Sequence, residues 1–185
     1  MGTPLTSEAN SLQRLLEEDK LVLDGFTRDC FAETPLHISA MLGHLEFKRN
    51  ISSQTPVFAK ELDFRRISTL LLATANGHLE LVKALLLVNP DMCYAQDRDG
   101  QSPLHIAVIK SRVDVSKELV QTKPEAVLLR TERGETILHL CVKHYQIDAL
   151  KFLVETIKES GFTSSKDEDG STVLHLAVAD REIEV

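Results

Sequence analysis

The sequence predicts an all-α solenoid of stacked helix–turn–helix units with short β-turn fingers, and three observations predict it. A Leu-His pair recurs as Thr34-Pro35-Leu36-His37, Ser102-Pro103-Leu104-His105, Thr136-Ile137-Leu138-His139 and Thr172-Val173-Leu174-His175. The interval is 68 residues from Leu36 to Leu104, 34 from there to Leu138 and 36 to Leu174, and Ser68-Thr69-Leu70-Leu71 fills the middle of the long gap. Turn signals such as Asp97-Arg98-Asp99-Gly100 precede the pair, and apolar residues at helical spacing follow it. A fixed period of this length marks one supersecondary unit that cannot bury its apolar face alone, so copies stack.

The unit at 97–130 shows each element most clearly. Asp97 to Gln101 opens it as a tight turn, because Asp offers side-chain bonds to the backbone and Gly accepts positive φ. Ser102 is placed to cap a short helix, and Pro103 sits in its first turn, where a missing N–H does no harm. Leu104, Ile106 and Ala107 are expected to point inward from it. Val113 to Gln121 reads as a second helix with Val115, Leu119 and Val120 toward its neighbours, stopped by Lys123-Pro124. In the same register, units with both helices span 29–62, 63–96, 97–130 and 131–166, and a fifth, 167–185, is cut off after its first helix. Residues 1–28 read as a vestigial N-terminal capping repeat, with Leu12, Leu15 and Leu16 at helical spacing.

Thr34-Pro35-Leu36-His37-Ile38-Ser39-Ala40-Met41-Leu42-Gly43-His44-Leu45-Glu46 and Ala75-Asn76-Gly77-His78-Leu79-Glu80-Leu81-Val82-Lys83-Ala84-Leu85-Leu86 carry a specific resemblance. They resemble the ankyrin repeat, whose pattern is T-P-L-H-x-A-A-x-x-G-H-L-E-x-V-x-x-L-L, and nearly the whole chain is covered. Pro90-Asp91-Met92 and Pro124-Glu125-Ala126 stand where many ankyrin arrays carry Gly-Ala-Asp. With Arg133 to Val142 and Ser171 to Ala179, they look like the ankyrin part of plant proteins that continue into a membrane-spanning PGG domain. That resemblance implies an array facing the cytoplasm beneath a membrane, with a role in defence and stress signalling. The sequence stops before any such span.

Two places depart from the pattern. In the unit from Asp63, Arg66 stands where the pattern has Gly, Thr69 where it has Pro and Leu71 where it has His, so a deformed finger is expected there. Lys48, Ser52 and Ser116 take places expected to hold buried aliphatics, each at a loss of about 1 to 3 kcal/mol in packing. The array is therefore expected to be weakest between 47 and 70. At the other edge, Arg181 to Val185 only begins a second helix, which is expected to leave Leu174, Leu176 and Val178 without a full partner layer.

Composition narrows the function classes. A formal charge of −7, from 28 acidic and 21 basic residues, repels a phosphate backbone on average, so nucleic acid is not an expected partner. Cys30, Cys93 and Cys141 are odd in number and widely spaced, without a C-x-x-C pair, as expected of reduced thiols in an intracellular protein of the cytosol or nucleus. No apolar run approaches the roughly 18 residues of a membrane span, and the start lacks the features of a secretory signal. Membrane association is expected only through the further domain that the PGG resemblance implies. Gly2 and Thr6 give the loose outline of a myristoylation signal, but Pro4 and the absence of following basic residues favour an ordinary start.

The residues of chemical interest read as architecture. His37, His105, His139 and His175 fall one per unit, roughly 10 Å apart, whereas zinc ligands converge within about 2.1 Å of one ion. They are expected to bridge the turns of adjacent units. His44 and His78 begin second helices, and His144 reads as a surface residue. Asp97 and Asp99, and Asp167 to Asp169, read as turn caps, since the latter lack the spacing of a calcium loop. Cys141 reads as a small buried hydrophobe. No catalytic residue, metal site or cofactor is expected. What remains is a protein-binding surface on the concave side, made of finger tips and the outer side of each first helix. Its candidates are Arg98, Gln101, Ile109 and Lys110, then Glu132, Arg133, Glu135, Lys143 and His144, then Glu168, Ser171 and Asp180, with Phe64, Ile67, Ala75 and Asn76 on the irregular side. The tips run from basic at Arg65 and Arg66, through mixed at Glu132 and Arg133, to acidic at Asp167 to Asp169.

Overall fold

Three described modules, at 67–96, 97–130 and 131–157, are each built from one short helix begun at a Ser or Thr, one longer helix and the turn that reverses between them. The structure, a computed structural model, describes Ala40, residues 67–157 and residues 162–179. The chain divides into two compact units, residues 1–35 and 36–185, and every described residue lies in the second. The described helices are α1 (Thr69–Asn76), α2 (Leu79–Val88), α3 (Pro103–Ile109), α4 (Val113–Thr122), α5 (Ile137–Lys143), α6 (Ile147–Thr156) and α7 (Val173–Ala179). Two 3-10 helices, Pro90–Tyr94 and Pro124–Leu128, follow α2 and α4. The described residues hold no strand; among their isolated bridge positions is an antiparallel pair, Lys166 and Thr172.

Stacking follows the register of the sequence. Within a module α1 packs on α2, α3 on α4 and α5 on α6; between modules α1 packs on α3, α3 on α5, and α5 on α7. The second helices pack likewise, α2 on α4 and α4 on α6. One continuous core results, from Ala40 through Leu70, Leu85, Leu104, Leu119, Leu138 and Leu153 to Val173. Small residues at the inward corner, Ala73, Ala107 and Cys141, are fully buried and let successive first helices approach.

Several local expectations meet a different outcome. Ile106 is half-buried, and Val108 takes the inward place beside Leu104 and Ala107. Those three stand at i, i+3 and i+4 and share one face of α3, whereas Ile106 at i+2 is turned about 200° from Leu104. Proline does end α2 and α4, but the chain then winds into a 3-10 turn that buries Met92 and Cys93, or Ala126 and Val127, beneath the module. Ser116 is buried at an aliphatic place, and its hydroxyl donates to the Arg112 carbonyl at 3.1 Å, so no polar group is orphaned. Thr69 and Thr74 differ, for both hydroxyls are buried with no hydrogen-bond partner.

The turn between paired helices holds one residue in the left-handed region. Gly77 does so at φ 78°, while Ser111 and Tyr145 do so at 57° and 55°. A side chain there costs about 1 to 2 kcal/mol. The leading repeat at 1–28, the unit at 29–62 apart from Ala40, the finger at Phe64 to Arg66, Lys48, Ser52, Asp180 and the segment 181–185 lie outside the described residues.

Candidate protein-interaction surface

The fingers are fixed before anything can bind them. In the first, the Asp97 carboxylate accepts from the Asp99 and Gln101 amides at 3.0 and 2.8 Å, and Gly100 closes the turn at φ 71°. In the last, Asp167 does the same for the Ser171 amide at 2.8 Å. Thr131 stands in for the aspartate in the middle finger, its hydroxyl accepting from the Glu135 amide at 3.3 Å. Successive fingers are hydrogen-bonded to one another: the Glu132 amide donates to the Asp99 carbonyl and the Glu168 amide to the Arg133 carbonyl, both at 3.0 Å. Gln96 donates to the carbonyls of Gly100 and Arg130, and the Arg130 guanidinium to those of Gly134 and Lys166 and to the Ser165 hydroxyl.

The histidines tie helix starts to neighbouring turns. The Ser102 amide donates to His105 Nδ1 at 3.0 Å, and the Thr136 amide donates to His139 Nδ1 at 3.2 Å. A backbone N–H can only donate, so each ring carries its proton on Nε2. From there His139 donates to the Ser171 carbonyl of the next finger at 3.1 Å. His105 is 1% exposed; burial pushes its pKa down to about 4, against the opposing effects of a hydrogen bond to the Leu129 backbone and of the Glu135 charge. His175 repeats the local bond to the Thr172 amide at 3.3 Å, but its ring is exposed. Among the described residues no three of His, Cys, Asp or Glu are grouped to hold a metal ion. Burial pushes the Cys141 thiol up to about 12, and pushes Cys93 up to about 11 against the lowering influence of Lys123. Neither thiol has the character of a nucleophile near neutral pH.

The candidate surface residues divide by exposure. Arg98, Lys110, Glu132, Arg133, His144, Glu168 and Asn76 are exposed. Gln101, Ser171, Ile67 and Ala75 are half-buried, and Ile109 is half-buried against the core. Glu135 requires a correction: it is 8% exposed, accepts from the Thr131 hydroxyl at 3.2 Å and forms an ion pair with Lys143. Its carboxylate, and with it the Lys143 ammonium, is committed inside the module. Asp167, read as part of an acidic tip, is likewise buried and used by its own turn, which leaves Glu168 and Asp169 as the exposed acids there. Sequence reasoning passed over Ser111, Arg112 and Tyr145, all exposed at the turns between helices. The comparison of Gly77 with Ser111 and Tyr145 in register was the available signal, since a non-glycine at that place must be strained.

Known proteins supply the remaining observation. A family model described as Ankyrin repeats (3 copies) matches residues 48–129 and 70–163. No curated protein matches the chain. No helix among the described residues is long and apolar enough to cross a membrane. Ankyrin repeats are protein–protein interaction modules, generally without catalysis of their own. With the matched residues extending over more than half of its length, this chain belongs to the ankyrin-repeat family.

Proposed function

We propose that this chain is a noncatalytic protein-binding module, an adaptor or signalling scaffold of the cytoplasm, whose partner lies along the finger tips and outer sides of the first helices on the concave face. It is read as five units in the register 29–62, 63–96, 97–130, 131–166 and 167–185 behind an N-terminal cap at 1–28. One observation carries the proposal: inward positions and turn carboxylates are consumed by architecture, whereas Arg98, Glu132, Arg133 and Glu168 stand exposed at successive tips. Replacing Arg98, Glu132 and Arg133 together by Ala tests it, with Glu135 left intact because it is buried. Affinity capture with mass spectrometry should lose a partner that the parent chain retains, at an unchanged melting temperature. Unchanged capture would remove this surface from consideration.

A second reading makes the array the cytoplasmic part of a plant membrane protein of the PGG type, serving defence or stress signalling. It is supported by the Arg133 to Val142 and Ser171 to Ala179 stretches. It is also supported by Leu174 and Val178, exposed at places where Leu138 and Val142 are buried one module earlier. A further module would cover them. Transcript sequence downstream of Val185 that encodes an apolar run of about 20 residues would favour this reading, and a stop codon there would favour the adaptor.

A further inference from the structure

A second helix in this stack touches two neighbours, the first helix of its own module and the second helix before it. So α4 packs on α3 and α2, and α6 packs on α5 and α4. The seat has the same shape each time, because α2, α4 and α6 are all ten residues long and begin in register at Leu79, Val113 and Ile147.

The next seat in that register is bounded by α7 and α6, and its walls are apolar and exposed. On α6, Val154 is 49% exposed, whereas Leu86 and Val120 at the same place in α2 and α4 are buried. Leu150, one turn earlier, is half-buried where Val82 and Ser116 are fully buried. On α7, Leu174 and Val178 are 69% and 77% exposed, whereas Leu104 and Leu138, and Val108 and Val142, are buried in α3 and α5. Leu150 and Val154 stand at i and i+4 on one face of α6, and Leu174 and Val178 at i and i+4 on one face of α7. Apolar side chains exposed singly are ordinary; four of them, on the two faces that a second helix covers in each earlier module, form a patch.

We propose that this end of the stack docks an amphipathic helix supplied in trans by a protein partner, ten residues long like α4 and α6, with aliphatic side chains at i and i+4 turned into the seat. The occupant is argued from continuity with the interfaces already built: α4 fills its own seat with Val115, Leu119 and Val120, and α6 fills its seat with Ala149 and Leu153. Two helix faces arranged to receive a third helix select a helix over an extended peptide. The proposal goes beyond the concave-face reading and does not rest on it.

The test uses the full chain and fluorescence anisotropy with a labelled peptide of residues 146–157, which carries the α6 pattern, alongside a scrambled peptide whose apolar residues share no helical face. The α6 peptide is expected to bind and to raise the melting temperature as its concentration increases, and the scrambled peptide to do neither. Leu174→Gln with Val178→Gln should weaken binding by about tenfold, and so should Val154→Gln alone. These changes lie on different helices, so a failure of α7 to fold cannot produce both losses. Leu87→Gln is the control, an exposed position of α2 whose equivalents Gln121 and Glu155 are exposed in α4 and α6, and it should bind as the parent does. Equal affinity for the two peptides, or full binding by both sets of variants, would overturn the proposal. So would sedimentation of the parent chain as a dimer that Val154→Gln dissociates, which gives the seat to a second copy. Transcript sequence past Val185 that completes a second helix in this register would also overturn it, giving the seat to the same protein. If the α6 peptide fails while the Arg98, Glu132 and Arg133 replacements still abolish partner capture, the seat falls and the concave-face reading stands.

Discussion

His105 shows how one residue serves the fold and limits it. Its ring accepts from the Ser102 amide, completes the cap of α3 and is buried between modules as the neutral form. The folded pKa of about 4 lies below the ordinary histidine value of 6.5, so between those values the unfolded chain binds a proton that the native chain does not. Stability is therefore present in full above pH 6.5 and falls as the pH drops toward 4, by about 3 kcal/mol for this group. Denaturant melts from pH 7 to 4 should show that loss, and replacing His105 by Gln should flatten its share of the slope. An NMR titration placing the ring near its ordinary value would contradict the assignment.

Glycines of the fingers look alike in sequence and differ in structure. A Cβ on Gly100 would stand 2.5 Å from the Glu132 amide nitrogen, whereas one on Gly170 meets nothing within 4 Å. Both carry positive φ. Gly170→Ala should thus cost only the conformational term of about 1 kcal/mol, and Gly100→Ala clearly more, because it also breaks the bond from Glu132 to Asp99. Chemical denaturation of the two variants ranks them directly. Ser111→Gly should go the other way, stabilising by up to about 1 kcal/mol at an exposed turn.

At the scale of elements, the short helices are stable only because both ends are tied. Eight residues or fewer make a marginal helix in water, and each of these receives a hydroxyl or histidine cap at its start and apolar cover along its length. The sequence made this legible wherever a local rule decides: Ser102 as a cap, Pro124 as a stop, Val115 and Leu119 as inward positions. It was illegible where two modules decide together. Glu135 looks like a finger-tip charge until α5 brings Lys143 beside it, and Arg130 shows no motif that announces its bond to Gly134 of its own finger and its two bonds across to Ser165 and Lys166. Arg130→Ala should destabilise by about 1 to 2 kcal/mol although its side chain is exposed, which thermal melts against an Arg133→Ala control would reveal. Likewise the 3-10 turns after α2 and α4 follow from burial of Met92 and Ala126 under the neighbouring layer, a tertiary effect that Pro90 and Pro124 alone do not encode.

For the whole molecule, stability is a sum of modules and of the contacts between neighbours. The repeat period carried most of this fold in the sequence, because every inward position recurs at one interval. The candidate surface was only partly legible, since exposure had to be judged one residue at a time and strain at Tyr145 is a property of the turn. The claim on which everything depends is that fingers and first helices of successive modules are joined in one register. Native-state amide exchange at Glu132 and Glu168 tests it most directly, because both amides donate across to the preceding finger at exposed residues that would otherwise exchange freely. Exchange of both at rates set by opening of the module interfaces, far slower than at the neighbouring tips, is the predicted result. Exchange of both as fast as in an unfolded peptide would contradict it.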